Sequence, residues 1–254
     1  MDDRRSTTTA TYVFCLVQSG RAPSLRSVPA SLPGAGAPRL IPVDRDIWAV
    51  VADAPLERFE GEELQRELQD VEAISRHALA HASVVEFFFR HAPVIPLKLF
   101  TLFSSDDAAS AHLQSRREEL TRMFAGLRGL EEWGVRIVAG QVEAESSRTL
   151  SSGRDYLQVK KRLHDETAAP PRSTVRAVDG ALKALGRIAS KTRKEAFPAP
   201  GKGRPYVTGT SFLVKVERRA EWKRAIAKTA AALARQGHHL AMSGPWPPYH
   251  FVSS

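Results

Sequence analysis

Short apolar runs alternate with longer amphipathic segments along the first half of the chain. The runs at 12–17, 40–43, 47–52, 94–103 and 133–139 are rich in β-branched and aromatic residues, which predicts strands. Pro42 favours the edge of a sheet for the second run, because proline cannot donate a ladder hydrogen bond. Residues 62–91 have helical spacing, and so does the segment that follows the N-cap candidates at 104–107, with Ala109, Leu113, Leu120, Phe124 and Leu127 inward. This order predicts an α+β domain whose helices cover one face of a mainly antiparallel sheet.

The helix predicted at 62–91 has one apolar seam with alternating spacings of four and three. His77 and His81 are four residues apart and so share a helix face, but Ala78 follows His77 where a metalloprotease requires glutamate. We therefore expect a solvated or core-edge histidine pair and no zinc site. The seam consists of Leu64, Leu68, Val71, Ala78, Val85 and Phe89, with the small residues Ser75 and Ala82 between them.

The second half begins with two basic helical segments. Residues 152–163 and 172–189 are predicted to be helices, the second with Val175, Val178, Leu182, Leu185 and Ala189 inward. Residues 198–205 have the composition of a flexible linker. A strand at 212–216, a helix at 219–236 and a strand at 238–242 follow. With the strand at 133–139, this order resembles a split βαβ unit.

The net charge of +9 is concentrated in residues 151–205, which hold 13 Lys/Arg against 5 Asp/Glu. This basic arm is either a solvated face or a surface for nucleic acid, anionic lipid or an acidic protein. It has no aromatic stacking platform and no known reader motif, so we do not expect nucleic acid. The single cysteine fits a reducing cytoplasm, and no apolar run is long enough to span a membrane.

Residues that could perform catalysis do not form a recognisable set. Cys15 lies in an apolar strand pattern, which predicts a buried, inert thiol. Glu131 and Glu132 precede Trp133, where an apolar neighbour could raise a carboxyl pKa, but a solvated pair at a helix end is the favoured interpretation. His238 and His239 are adjacent, so they face opposite sides of a strand and cannot chelate together. We expect no enzymatic activity, cofactor or metal.

The sequence SGPWPPYHF at 243–251 is a stiff segment with three aromatic residues. Its glycine and three prolines exclude a helix. Disordered tails rarely have so many aromatics, so we expect this tail to dock on its own domain or on a partner. The candidate partner-binding residues are Trp246, Tyr249 and Phe251 of the tail and Lys160, Lys161 and Arg162 of the basic arm.

Four motifs in order resemble the GvpL/GvpF gas vesicle protein family. They are IWAVVADAP at 47–55, the segment 81–103 with VIPLKLFT at 94–101, GRDYL at 153–157 with Lys160, and the tail. The resemblance covers the chain from about residue 12 to residue 252. It implies an N-terminal α+β domain at 8–129 and a ferredoxin-like domain at 130–254 that includes the basic arm and the tail.

The resemblance also implies a function. The chain would be an accessory or minor structural protein of gas vesicles, located in the cytoplasm and on the vesicle. Its partners would be the small hydrophobic wall protein and other accessory proteins, because wall-protein monomers expose apolar surface that aggregates unless it is covered. The helix at 62–91, the tail and the basic arm are the candidate surfaces. The alternative is a nucleic-acid or anionic-surface binding protein that uses residues 151–205.

Overall fold

The computed structural model describes residues 9–59, 61, 66–67, 69–139, 171–195 and 206–252. They form a mixed α+β structure with antiparallel sheets and divide into two compact units. The first unit contains the residues up to Gly129 together with those from Trp246, and the second extends from Leu130 to Pro245. The sequence analysis predicts domains at 8–129 and 130–254 with the tail in the second, whereas the residues from Trp246 group with the first unit.

The first unit has a sheet of five strands in the order β2-β3-β1-β4, with β5 also paired to β1. The pairs of β1 with β3, β4 and β5, and of β2 with β3, are antiparallel. The predicted edge position of the strand with Pro42 is confirmed. The elements are β1 Thr9–Gln18, β2 Arg39–Asp44, β3 Ile47–Pro55, α1 Leu56–Phe59, α2 Val71–Phe89, β4 Val94–Pro96, β5 Leu102–Phe103, α3 Asp106–Ser115 and α4 Arg117–Leu127.

Strand β1 is covered on both faces. Every side chain from residue 12 to residue 17 is fully buried, and neighbouring side chains of a strand point to opposite faces. Thr11 Oγ1 donates a hydrogen bond to Asp106 Oδ1 of α3 at 2.7 Å. The adjacent Tyr12 Oη lies 2.6 Å from His81 Nδ1 of α2. The two helices therefore lie on opposite faces of β1, and the expectation that helices cover only one face is wrong.

Helix α2 buries a different face from the predicted seam. Val71 is 77% exposed, and Ala78 is also exposed. His77 and His81 were expected to be solvated or at the edge of the core, but both are buried. The described helix begins after Asp70, whose carboxylate accepts from the Glu72 amide, and Leu64 and Leu68 lie outside the described residues. The buried residues of α2 are Ala73, His77, His81, Val84, Val85 and Phe88.

Two other predicted elements are each divided. The strand predicted at 94–103 is two short strands, β4 and β5, separated by a turn in which Phe100 has a φ of 63°. A residue with left-handed backbone geometry cannot continue a strand, so the pairing with β1 is interrupted between β4 and β5. The single helix predicted to carry Ala109 to Leu127 inward is interrupted at Arg116, between α3 and α4.

The second unit has a four-stranded sheet in the order β7-β8-β6-β9. Strand β8 is antiparallel to both β6 and β7. Trp133, Phe212 and Trp222 are buried in the core between sheet and helices. Strand β7 was not predicted, β9 extends beyond 238–242, and the predictions for 152–163 and 198–205 lie outside the described residues. The elements are β6 Leu130–Ala139, α5 Arg172–Gly186, β7 Lys191–Lys194, β8 Tyr206–Lys215, α6 Arg219–Ala234 and β9 His238–Trp246.

Glu131 and Glu132 are not a solvated pair at a helix end. They lie near the start of β6, and both are buried. Glu131 forms a bidentate ion pair with Arg219 at the start of α6. Arg219 Nε donates to Glu131 Oε2 at 3.0 Å, and Arg219 Nη2 donates to Glu131 Oε1. The partner is 88 residues away in the sequence, so local pattern could not indicate it.

Removal of Arg219 should destabilise the second unit, because it leaves the buried Glu131 carboxylate without its main partner. We expect Arg219→Ala to lower the free energy of unfolding by about 2 kcal/mol, as for a buried charged group that loses its hydrogen bonds. Denaturant unfolding followed by the fluorescence of Trp133 and Trp222 measures this. Lys215→Ala, which removes an exposed ion pair with Glu217, is the control and should cost less than about 1 kcal/mol. Equal losses of unfolding free energy in the two variants would show that the Glu131–Arg219 ion pair stabilises the fold no more than an exposed ion pair does.

Stability of the first unit should depend on pH through His81. Burial lowers the pKa of His81 to about 4, from 6.5 in the unfolded chain. The unfolded state therefore binds a proton below pH 6.5 while the folded state does not, so stability that is complete above pH 6.5 is lost as the pH falls towards 4. The loss amounts to about 3 kcal/mol. His81→Gln should flatten this part of the curve of unfolding free energy against pH, and an unchanged slope would contradict the assignment.

Candidate functional site

The tail packs on the first unit. After β9, the backbone turns twice, with the Tyr249 amide donating to Pro247 O at 2.7 Å and the Phe251 amide donating to Pro248 O at 3.1 Å. Pro247 and Pro248 are buried. Tyr249 is half-buried and packs against the apolar core of the first unit, which includes Tyr12 and residues of α2. The last described residues of the chain therefore complete the core formed by its first strand.

The three aromatic residues of the tail differ in exposure. Trp246 is 38% exposed, whereas Tyr249 and Phe251 are half-buried. The interpretation of the tail as an internal plug therefore describes Tyr249 and not Trp246. Tyr249 contributes to the core, and Trp246 presents an aromatic surface to solvent. A role in partner binding stays a prediction for all three.

The basic arm is only partly described. Lys160, Lys161 and Arg162 lie outside the described residues. The described part consists of α5, β7 and the residues around them, and it holds seven Lys/Arg against two Asp/Glu. Val178, Leu182 and Leu185 of α5 are buried, as their spacing predicts. All four residues of β7 are exposed.

The described histidines and acidic residues have structural partners or stand apart from one another. Within the described part of the chain, no three His, Cys, Asp or Glu side chains are grouped so that they could hold a metal ion. His77 Nε2 lies 2.9 Å from Glu67 Oε2, and His81 contacts Tyr12, so each histidine has a structural partner. His238 is buried and His239 is exposed, as expected for neighbours in a strand. Cys15 is fully buried, and burial raises its pKa, which keeps the thiol protonated.

The junction of α3 and α4 borders an open depression of about 530 Å³. Val43, Asp44, residues 114–119 and Arg122 line it. Two of its charged groups pair with each other, because Arg116 donates to both carboxylate oxygens of Glu119, at 2.9 Å each. In the described residues, no helix is both long and apolar enough to cross a bilayer.

One charged network was not predicted from the sequence. Arg39 of β2 donates to Asp53 of β3 at 2.6 Å and to both carboxylate oxygens of Asp106 of α3. The hydrogen bonds from Arg39 are the main cause of the lowered pKa of Asp106. The partners of Arg39 are 14 and 67 residues distant, and no local pattern connects them. The network joins two strands and a helix and has a structural role.

Comparisons with known proteins agree with this architecture. The family described as gas vesicle synthesis protein GvpL/GvpF matches residues 10–253. Gas vesicle protein L of Streptomyces sp. (strain CB03234) is 25% identical over 219 residues, which is 82% of this chain and 80% of that protein.

Two solved structures share the fold. The crystal structure of the gas vesicle protein GvpF from Anabaena sp. PCC7120 has a TM-score of 0.66 at 13% identity, with 97% of this chain and 98% of that one covered. GvpF from Microcystis aeruginosa has a TM-score of 0.61 at 12% identity, with coverage of 95% and 98%. Since the family match extends over almost the whole sequence, this chain belongs to the GvpL/GvpF family of gas vesicle proteins.

Proposed function

We propose that this protein is an accessory or minor structural component of gas vesicles that binds the hydrophobic wall protein and other accessory proteins during assembly. The observation that carries the proposal is the family match over residues 10–253. The agreement in fold with two GvpF proteins over more than nine-tenths of the chain supports it. The site of action would be the growing vesicle and the cytoplasm around it.

The second unit is best interpreted as a ferredoxin-like domain. In chain order, its described elements are β6, α5, β7, β8, α6 and β9, and the strands are arranged β7-β8-β6-β9. A βαββαβ succession with the first and third strands at the centre is the split βαβ arrangement. Both helices contribute to one core with β6 and β8. Such a domain is a rigid platform for surfaces on its helices and edge strands.

A binding role without catalysis fits the chemistry of the described residues. The buried titratable groups His81, Glu131 and Cys15 are paired inside the fold or isolated in a core. Catalytic groups need to converge on a shared space where a substrate can lie. Some large apolar side chains are exposed at the surface, where a hydrophobic partner would bind: Val71 and Leu79 on α2, Met242 on β9, and Trp246.

Trp246 is the side chain that we expect to contact the wall protein. It is large, aromatic and partly exposed, which is typical of residues that dominate binding energies. It lies three residues before Tyr249, so the docked part of the tail restricts its position. Tyr249 and Phe251 would then support the site from within, and Trp246 would make the contact.

Association with the wall protein is the primary test of the proposal. We expect the tagged chain, co-expressed with a gas vesicle wall protein, to retain that protein through purification and to keep it soluble. The measurement is the ratio of the two proteins in the eluted complex. The outcome against the proposal is an absence of association together with normal vesicles after deletion of the gene.

A matched pair of variants separates binding from folding in the tail. Trp246→Ala should reduce recovery of the wall protein at least about tenfold, while it costs about 1 kcal/mol of stability or less, because Trp246 is partly exposed. Tyr249→Ala should cost about 2 kcal/mol, less than the 3–5 kcal/mol of a fully buried aromatic residue. Thermal melts and co-purification measure the two effects. A Trp246→Ala variant that loses stability but still retains the wall protein would assign Trp246 to the core instead.

A further inference from the structure

Helix α5 presents a straight cationic stripe to solvent. We define the α5 stripe as Arg172, Arg176, Gly180, Lys183 and Arg187, of which the last directly follows the helix. All five residues are exposed, and Val178, Leu182 and Leu185 are buried on the opposite side. The stripe is about 22 Å long at the helical rise of 1.5 Å per residue. Successive cations of the stripe are four, seven and four residues apart, so the order of these spacings is the same when read from either end of the helix.

Within the described residues, no ion pair joins the cations of the stripe to acidic side chains of the kind that pair with arginines on other helices. Arginines elsewhere pair with glutamates of the same helix or its start, as in Glu72–Arg76, Glu86–Arg90 and Arg218–Glu221. The one acidic residue of α5, Asp179, is three residues after Arg176 and four before Lys183, but no ion pair connects it to either. Like charges four residues apart destabilise a helix, so the stripe has an unfavourable effect on α5 in isolation.

Gly180 is a second and independent indication of a ligand. It lies near the middle of α5, where glycine is less favourable than alanine. A Cβ atom at this position would have no neighbour within 4 Å, so the packing of this chain does not require glycine. A glycine on an outer face allows the backbone of another molecule to approach closely.

Helix α6 packs beside α5, and its outer face resembles the α5 stripe in composition. Arg224, Lys228 and Arg235 are exposed on its outer face, and Ala227 and Ala231 lie between them. The outer face of α5 and α6 thus combines cations with small side chains. Helices pack closely where small residues let their backbones approach. The surface therefore fits a second helix better than it fits a loop with bulky side chains.

We propose that the outer face of α5 and α6 is a docking surface for an acidic helix of a partner protein. Carboxylates of that helix would pair with the arginines and lysine of the α5 stripe, and its backbone would pass over Gly180. Arginine suits this role because its fork of N–H donors matches a carboxylate. This proposal stands apart from the proposed function, since it concerns a different surface and a polar partner.

The composition of the surface favours a protein over the two other polyanions. Trp222, the aromatic residue of α6, is fully buried, so neither described helix offers an exposed ring on which bases could stack. Membrane-surface helices insert large apolar residues between their cations, whereas the uncharged positions here are glycine and alanine. The binding of nucleic acid or anionic lipid is thus an alternative outcome of the test.

A designed peptide tests the docking surface on the full-length chain. The probe is a labelled helical peptide of 22 residues with glutamates at positions 1, 5, 12 and 16, which mirror the stripe, and alanine and glutamine elsewhere. A scrambled peptide of the same composition is its control. By fluorescence anisotropy at physiological salt, the ordered peptide should bind at least about tenfold more tightly than the scrambled one, the equivalent of two well-placed ion pairs.

Variants locate the contact. Arg176→Glu with Lys183→Glu should weaken binding more than about thirtyfold, because attraction is replaced by repulsion. Arg21→Glu with Arg45→Glu changes the net charge equally at exposed positions of the first unit, and it should alter binding less than about threefold. Gly180→Gln should weaken binding at least about fivefold and leave the melting temperature unchanged or higher, since the site is open and glutamine favours helix.

Three results would overturn the proposal. One is equal binding of the ordered and scrambled peptides, and another is an equal loss in both pairs of charge reversals, since either would reduce the surface to general electrostatic attraction. The third is displacement of the peptide by a 22-nucleotide single strand, a 22-base-pair duplex or phosphatidylglycerol vesicles at lower concentrations than by unlabelled peptide. That result would assign the stripe to nucleic acid or lipid.

Discussion

The burial of β1 on both faces is the constraint on which the first unit depends. Six consecutive side chains, from residue 12 to residue 17, have no exposed surface, so each face of the strand needs a cover. Tyr12 contacts His81 of α2 on one face, and Thr11 contacts Asp106 of α3 on the other. The requirement that α2 cover Tyr12 decides which of its faces is buried. Two histidines enter the core, and Val71 and Leu79 remain outside.

The same constraint explains why the tail belongs to the first unit. Tyr249 packs against the buried core that includes Tyr12. Pro247 and Pro248 restrict the backbone before it, and they have no amide hydrogen that would need a ladder partner. One short segment therefore combines a structural residue, Tyr249, with an exposed aromatic, Trp246. The tail motif by which the sequence resembles the family is thus explained in part by packing.

The sequence predicted elements whose pattern is local and strong. Strands β1 and β3 and helix α6 are close to their predicted ranges, because long apolar runs and regular spacing determine them. The prediction of α2 selected the wrong face, since a seam of apolar and small residues was preferred to one with His77 and His81. Glu131 was misjudged, and Arg39 was missed, because their partners are brought together only by the fold. The tail could be predicted to dock, but its site on the first unit depends on contacts over more than 200 residues.

Hydrogen–deuterium exchange on a chain that ends at Pro245 tests the central claim most directly, namely that the tail is a structural part of the first unit. Loss of Tyr249 and the buried prolines should increase exchange in β1 and α2 and leave β6 and β8 unchanged, because local stability follows local packing. The full-length chain, measured under the same conditions, is the reference. Unchanged protection of β1 and α2, or a loss of protection confined to β6 and β8, would contradict the claim.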